Sequence, residues 1–158
     1  MKMELGLSKG ECRILVVDDQ PMVLDVVARM LEQLGYPVDT AEGSREAIFM
    51  LTGSTYRLVI TDFSMPIMNG YQLAGWIKQH HPRTRVVIMT GCSSVDMAGL
   101  KNSCVIDAFL FKPIGLTDLC NLLSDLSPEF DVRPLSEPPP PTVRMGSGSH
   151  RNFEWGNS

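Results

Sequence analysis

The chain has 158 residues, 44% hydrophobic and 20% charged, with a net charge of −4, enough for one domain with a real core plus a tail. The acidic balance speaks against a nucleic-acid surface, which needs a basic patch, so no direct nucleic-acid partner is expected. The N-terminus has no apolar core of signal-peptide length, and no run of about 18 apolar residues exists, so no membrane insertion is expected and the cytoplasm is the default location.

Residues 1–11 form an N-terminal extension in which Lys2, Glu4 and Lys9 mix with a few apolar side chains. Ile14-Leu15-Val16-Val17 is an apolar run suited to a buried strand, and it ends on Asp18-Asp19. Pro21 fits a first helical position, Val23, Val27, Met30, Leu31 and Leu34 follow at helical spacing, and Gly35 ends the helix. Val38 to Ala41 reads as a brief strand, and Ser44 as the cap of a helix carrying Ala47, Ile48 and Leu51. Leu58 to Thr61 is the third strand and ends on Asp62, with Met65-Pro66 and Asn69-Gly70 behind it as a loop. Leu73, Trp76 and Ile77 mark a helix starting near Gly70, and Arg85 to Met89 a fourth strand ending at Thr90-Gly91. A weak helix over about Val95 to Ser103 follows, because Gly99 costs about 1 kcal/mol against Ala in a helix interior. Ala108 to Phe111 is the fifth strand, ending at Lys112-Pro113, and Leu116, Leu119, Cys120, Leu123 and Leu126 share one face of a last helix.

Composition changes near Ser127: six of the eleven prolines lie in the last 31 residues, followed by Gly and Ser. Such a segment cannot bury enough apolar surface to offset its ordering entropy. The expected organisation is an extension at 1–11, a domain at 12–127 and a disordered tail at 128–158. Cys12, Cys92, Cys104 and Cys120 have neither C-x-x-C nor Cys/His spacing and read as reduced, mostly as small hydrophobes.

Apolar strands alternating with amphipathic helices predict an α/β, doubly wound, five-stranded parallel sheet with helices on both faces. In such a sheet the carboxyl ends of the strands share one edge, so Asp18, Asp19, Asp62, Thr90 and Lys112 converge there. Taken singly, Asp18 and Asp19 read as helix caps, Asp62 as a turn residue, Thr90 as a strand residue and Lys112 as a solvated charge. Taken together, three carboxylates repel unless a cation joins them, and oxygen ligands with room for water suit Mg2+. A metal, an ammonium and a hydroxyl around Asp62 suit the three equatorial oxygens of a phosphoryl group in transfer, with Asp62 as nucleophile.

These residues resemble the bacterial two-component response-regulator receiver domain over Cys12 to Ser127. The resemblance rests on Ile14 to Asp19, on Asp62 with Met65-Pro66 and Gly70 at their offsets, on Thr90-Gly91, and on Phe109-Leu110-Phe111-Lys112-Pro113. It implies a flavodoxin-like sheet of order 2-1-3-4-5. It also implies that Asp62 accepts a phosphoryl group from a sensor histidine kinase or a histidine phosphotransfer protein. Asp19, Asp62 and the backbone carbonyl of Ser64 would hold Mg2+, with Asp18 acting through water, while Thr90 and Lys112 hold phosphoryl oxygens. Phe109 takes the position of the switch aromatic, the Lys112–Pro113 bond is expected to be cis, and a side chain at Gly91 would crowd the phosphoryl group. Ser64 and Cys92 stand where the lifetime of the phosphorylated state is set. Phosphorylation would draw Thr90 inward, Phe109 would fill the space, and a protein-binding face would change shape. Having no hydroxyl, Phe109 should favour the inward state more than Tyr would.

Two departures bear on the output. Val105 stands where the family usually has Gly after the fourth helix, a position that disfavours a β-branched residue. The outward face of that helix also lacks the charge pattern of the family's transcription-factor dimers, so a monomer or weak dimer is expected. The expected protein is a stand-alone, chemotaxis-regulator-like receiver that acts on a downstream protein and turns over no separate substrate. The alternative is a pseudo-receiver adaptor that binds a partner without phosphorylation, against which the intact acidic residues, Thr90 and Lys112 argue. An Asp-nucleophile phosphatase would need a second Asp where Ser64 stands. A flavin carrier would need a hydroxyl-rich phosphate loop where Asp18-Asp19 stand.

Overall fold

Among the residues that the computed structural model describes, 12–91, 99–100 and 103–126, each predicted apolar run has become a strand of one parallel sheet. In chain order the elements are β1 (Ile14–Val17), α1 (Pro21–Gln33), β2 (Val38–Ala41), α2 (Ser44–Gly53), β3 (Leu58–Asp62), α3 (Gly70–His80), β4 (Arg85–Thr90), β5 (Ala108–Phe111) and α4 (Leu116–Leu126). The sheet order is β2-β1-β3-β4-β5, all parallel, the flavodoxin-like order. β1 and β3 are buried along their whole length, as strands covered on both faces must be.

Alternate strand residues feed two cores. Ile14, Val16, Leu58, Ile60, Val87 and Met89 pack on one face with Leu24, Val27 and Leu31 of α1 and Leu119, Leu122 and Leu123 of α4. Leu15, Val17, Val59, Val86 and Ile88 pack on the other with α2 and α3. Leu24 and Leu122, outside the predicted apolar stripes, are buried, whereas Val23 and Met30 are only partly so. Gly35 closes α1 at φ 99°; its N–H donates to the Glu32 carbonyl at 2.9 Å and that of Tyr36 to Leu31 at 3.1 Å, a Schellman ending.

One expected cap, Ser44, is corrected. Gly43, extended at φ 164°, is the residue before α2, so Ser44 is already helical, and the Glu46 carboxylate instead accepts the Glu42 N–H at 2.8 Å. Neither Asp18 nor Asp19 caps α1, whose N-cap is Gln20 without a side-chain cap bond.

Of the predicted Val95–Ser103 helix, Gly99 and Leu100 are helical and Ser103 follows it; the remainder, with Cys92, the 1–11 extension and the 128–158 tail, lies outside the described residues. Val105 sits in a turn, its N–H donating to Ser103 Oγ at 3.3 Å, and does not take the left-handed conformation that a glycine there would serve. Cys12 is buried and Cys120 half-buried, but Cys104 is exposed rather than a core residue; all three are free thiols. No helix among the described residues is long and apolar enough to cross a membrane.

The amino edge of the sheet is tied by polar side chains. Asp107 accepts from Lys78 Nζ at 2.8 Å and from the Val86 N–H at 2.7 Å, joining α3 to the entries of β4 and β5. Tyr56 donates to Asp39 Oδ2 at 2.7 Å, and Arg13 pairs with the same oxygen at 3.0 Å. Burial, then this bond to a carboxylate, pushes the Tyr56 phenol up to about 12.

Candidate functional site

The carboxyl edge carries the charge. Asp18 follows β1, Asp62 and Thr90 are the last residues of β3 and β4, and Lys112 follows β5. One oxygen from each of Asp18, Asp19 and Asp62 lies within 4.8 Å of the others. Asp18 and Asp62 are buried, Asp19 is exposed, and Thr90 is buried. Lys112 Nζ reaches in from the far strand to lie 2.8 Å from Asp62 Oδ1 and 3.1 Å from Asp18 Oδ2.

Local chemistry holds each group. The Gln20 N–H donates to Asp18 Oδ1 at 2.9 Å, a contact two residues on that Asp favours. The Lys112 N–H donates to the Thr90 carbonyl at 2.8 Å, and the Lys112–Pro113 bond is cis. Past Asp62, the Phe63 N–H donates to the Met89 carbonyl at 2.9 Å and the Gly70 N–H to the Phe63 carbonyl at 2.8 Å. This draws the start of α3 so close that a Cβ on Gly70 would collide with the Asp62 carbonyl oxygen. Asn69 caps α3, taking the Gln72 N–H at 2.8 Å while Gln72 Oε1 takes the Asn69 N–H at 2.9 Å. That capping box was legible as Asn-x-x-Gln; the contact that demands Gly70 was not. Between Asp62 and Gly70, exposed Ile67 takes φ 74°, a conformation rare for a β-branched residue.

Burial is the largest influence on Asp18 and pushes its carboxyl up, with the Asp62 charge acting the same way; the Gln20 N–H and Lys112 oppose this without reversing it. Burial alone would lower the Lys112 ammonium, but its bonds to Asp62 and Asp18 outweigh burial and hold it above the ordinary lysine range. One ammonium against three carboxylates leaves an excess of negative charge on an all-oxygen donor set. Exposed Asp19 gives that set a side open to water. These features fit Mg2+, which keeps several waters and needs few protein ligands.

The remaining predicted residues are placed as follows. Ser64 is exposed in the loop after β3. Among the described residues, a Cβ on Gly91 would meet nothing within 4 Å. Phe109 is half-buried and packs against the second core along with Leu100 and Val105. The next residue but one, Phe111, is exposed.

A model of the response regulator receiver domain matches residues 14–124. The transcriptional regulatory protein TcrA of Mycobacterium tuberculosis is 32% identical over 136 residues, covering 85% of this chain and 51% of TcrA. The sensor protein EvgS of Escherichia coli is 31% identical over 121 residues, covering 77% of this chain and 10% of EvgS. The chain thus spans about half, or much less, of the length of these relatives. Among solved structures, the response regulator protein TrrA of Thermotoga maritima, in complex with Mg(2+)-BeF, has a TM-score of 0.66 at 30% identity, over 73% of this chain and 98% of that one. The chemotaxis protein CheY4 of Vibrio cholerae shares the fold with a TM-score of 0.68 at 24% identity, over 73% of this chain and 98% of that one.

Proposed function

Because this chain belongs to the response-regulator receiver family, we propose that it accepts a phosphoryl group on Asp62 from a phosphohistidine of a sensor kinase or phosphotransfer protein. The observation that carries the reading is Lys112 Nζ, 2.8 Å from Asp62 Oδ1 inside a cluster of three carboxylates. Lys112 occupies one oxygen of Asp62 and leaves the other to attack phosphorus. The P–N bond breaks, its electron pair returns to the imidazole, and an acyl phosphate forms. Lys112 and the Thr90 hydroxyl then meet the phosphoryl oxygens, where charge is greatest. Asp19, Asp62 and the Ser64 carbonyl would hold Mg2+, with Asp18 acting through water. The ion would supply neutralisation of the phosphoryl charge, which Lys112 alone cannot match. Asp18 and the Gln20 amide keep the acidic side of the pocket in place. The protein thus catalyses its own modification and loss of phosphate without turning over a separate substrate.

For output, Thr90 and Phe109 form the proposed switch, with Pro113 fixing the direction of Lys112. Engagement of the phosphoryl group by Thr90 lets the half-buried ring of Phe109 move inward and reshapes the face around β5 for a downstream protein. The receiver itself is proposed as the acting unit, and the cytoplasm, where a kinase finds ATP, as its compartment. The test is incubation with acetyl phosphate, or with beryllofluoride, and Mg2+, read by intact mass and by NMR. One phosphoryl adduct on the wild type, absent in Asp62→Ala and without Mg2+, is expected. No adduct, or an undiminished one in Asp62→Ala, overturns the assignment.

A further inference from the structure

Between Asp62 and α3 the chain makes a short excursion whose two ends are fastened together. Gly70 lies against the Asp62 carbonyl oxygen, and its N–H donates to the Phe63 carbonyl at 2.8 Å. Midway, the Met68 N–H donates to the Pro66 carbonyl at 2.8 Å, with Ile67 between them at φ 74°. A bond closed over two residues with a positive central φ is the rarer and more strained form of the γ-turn. Glycine or asparagine eases that conformation, and a β-branched residue suits it least. Packing does not compensate. Ile67 is 79% exposed, whereas Phe63, Met65 and Met68 of the same loop are partly buried against the second core.

Ile67 stands three residues before Gly70, hence within about 11 Å of it. Asp62 is only 6% exposed. A phosphohistidine therefore transfers to it only when the imidazole enters the pocket and the protein behind it closes over the surrounding loops. A standard interface of about 800 Å2 a side is a patch about 16 Å in radius, which takes in Ile67. A strained residue that leaves its apolar side chain in water is stabilised only when a partner covers it. Resting on Asp62 as the phosphoacceptor, we propose that Ile67 is an apolar anchor for the phosphohistidine-bearing protein, kept exposed by the turn and buried on docking among apolar side chains beside that histidine. Ile67 touches the donor protein and not the reacting atoms, so it sets which donor is accepted and leaves the chemistry to Asp62 and Lys112.

The test compares two donors on the full chain with Mg2+. Acetyl phosphate is too small to reach Ile67 from the pocket. The protein donors are purified sensor-kinase cores from the source genome, autophosphorylated on histidine, of which the fastest is kept. Ile67→Asn should melt a few degrees higher than the wild type, because Asn tolerates a positive φ. It should take phosphate from acetyl phosphate at the wild-type rate, yet from the kinase about ten-fold more slowly in kcat/KM, chiefly through KM. Ile67→Val, which keeps an apolar side chain, should stay within about two-fold of wild type with both donors. Equal kinase transfer to wild type and Ile67→Asn overturns the anchor and leaves Asp62 as acceptor, as does transfer from no kinase while acetyl phosphate still labels the chain. Equal slowing with both donors overturns it too, since the turn then shapes the pocket. A lower melting temperature for Ile67→Asn removes the strain on which the assignment stands. Failure of acetyl phosphate to label the wild type overturns the reading of Asp62 itself.

Discussion

Replacing Lys112 by Met keeps the aliphatic stem and removes the ammonium 2.8 Å from Asp62 and 3.1 Å from Asp18. At an effective dielectric constant of about 20, each contact is a gross attraction of about 5–6 kcal/mol, most of which the desolvation of the charged groups offsets. The substitution does not return that desolvation, because Asp18 stays fully buried beside Asp62. Breaking a buried pair by removing one partner costs about 3–5 kcal/mol. Lys112 keeps 25% of its side chain exposed, and solvent screening lowers the expected loss to about 2–3 kcal/mol. Urea unfolding near pH 7 in EDTA, compared at equal slope, measures it. The loss should shrink as pH falls through the raised folded-state value of Asp18, since protonated Asp18 needs no counter-charge. It should also shrink as pH rises above the ordinary lysine value of 10.5 and through the raised folded-state value, where the wild type loses its own ammonium. Millimolar Mg2+ should restore more stability to the variant than it adds to the wild type, because the cation neutralises the same oxygens. A variant within about 0.5 kcal/mol of wild type in EDTA would refute the reasoning, since changes of that size are ordinary for surface sites.

Asp18→Asn should stabilise the metal-free protein near pH 7. Burial and the Asp62 charge hold the wild-type carboxyl above the ordinary carboxylate value of 3.8, so its contribution to stability is present below that value and lost as pH rises through the folded-state value. The advantage of Asn should therefore vanish near pH 3, and a urea midpoint lower than wild type at pH 7 would contradict it. Gly70→Ala should cost about 2 kcal/mol or more, because its methyl group meets the Asp62 backbone, which cannot yield without moving the site; unchanged urea stability would show that α3 can retreat. The Tyr56 phenol should ionise at about 12. Its stabilising neutral form is fully present below pH 10 and lost as pH rises through about 12, and ultraviolet titration with every tyrosine midpoint near 10 would exclude this. Tyr56→Phe should cost about 1 kcal/mol in urea for the lost bond to Asp39.

Much of the fold was legible because its signals are local. A run such as Ala108–Phe111 is a strand by its apolar length and bounding turns, and both it and the brief Val38–Ala41 match the structure to the residue. Gly35 had to be left-handed to end α1, and Pro21 had to begin it. The helical stripes were read slightly off centre: Leu24 and Leu122 are buried because the sheet, not the helix, decides which side faces inward. Ser44 was mistaken for a cap because Ser beside a helical pattern has two good positions, and the extended Gly43 settled which one it took.

Local pattern also brought Asp18, Asp19, Asp62, Thr90 and Lys112 to strand ends, and parallel topology put those ends on one edge. Tertiary structure alone decided that Lys112 reaches Asp18 across 94 positions of chain. It alone made Gly70 obligatory. Periodicity and turn chemistry act between residues a few positions apart. Charge pairing, close backbone approach and cavities depend on where crossovers place distant segments, a distance that no local pattern encodes.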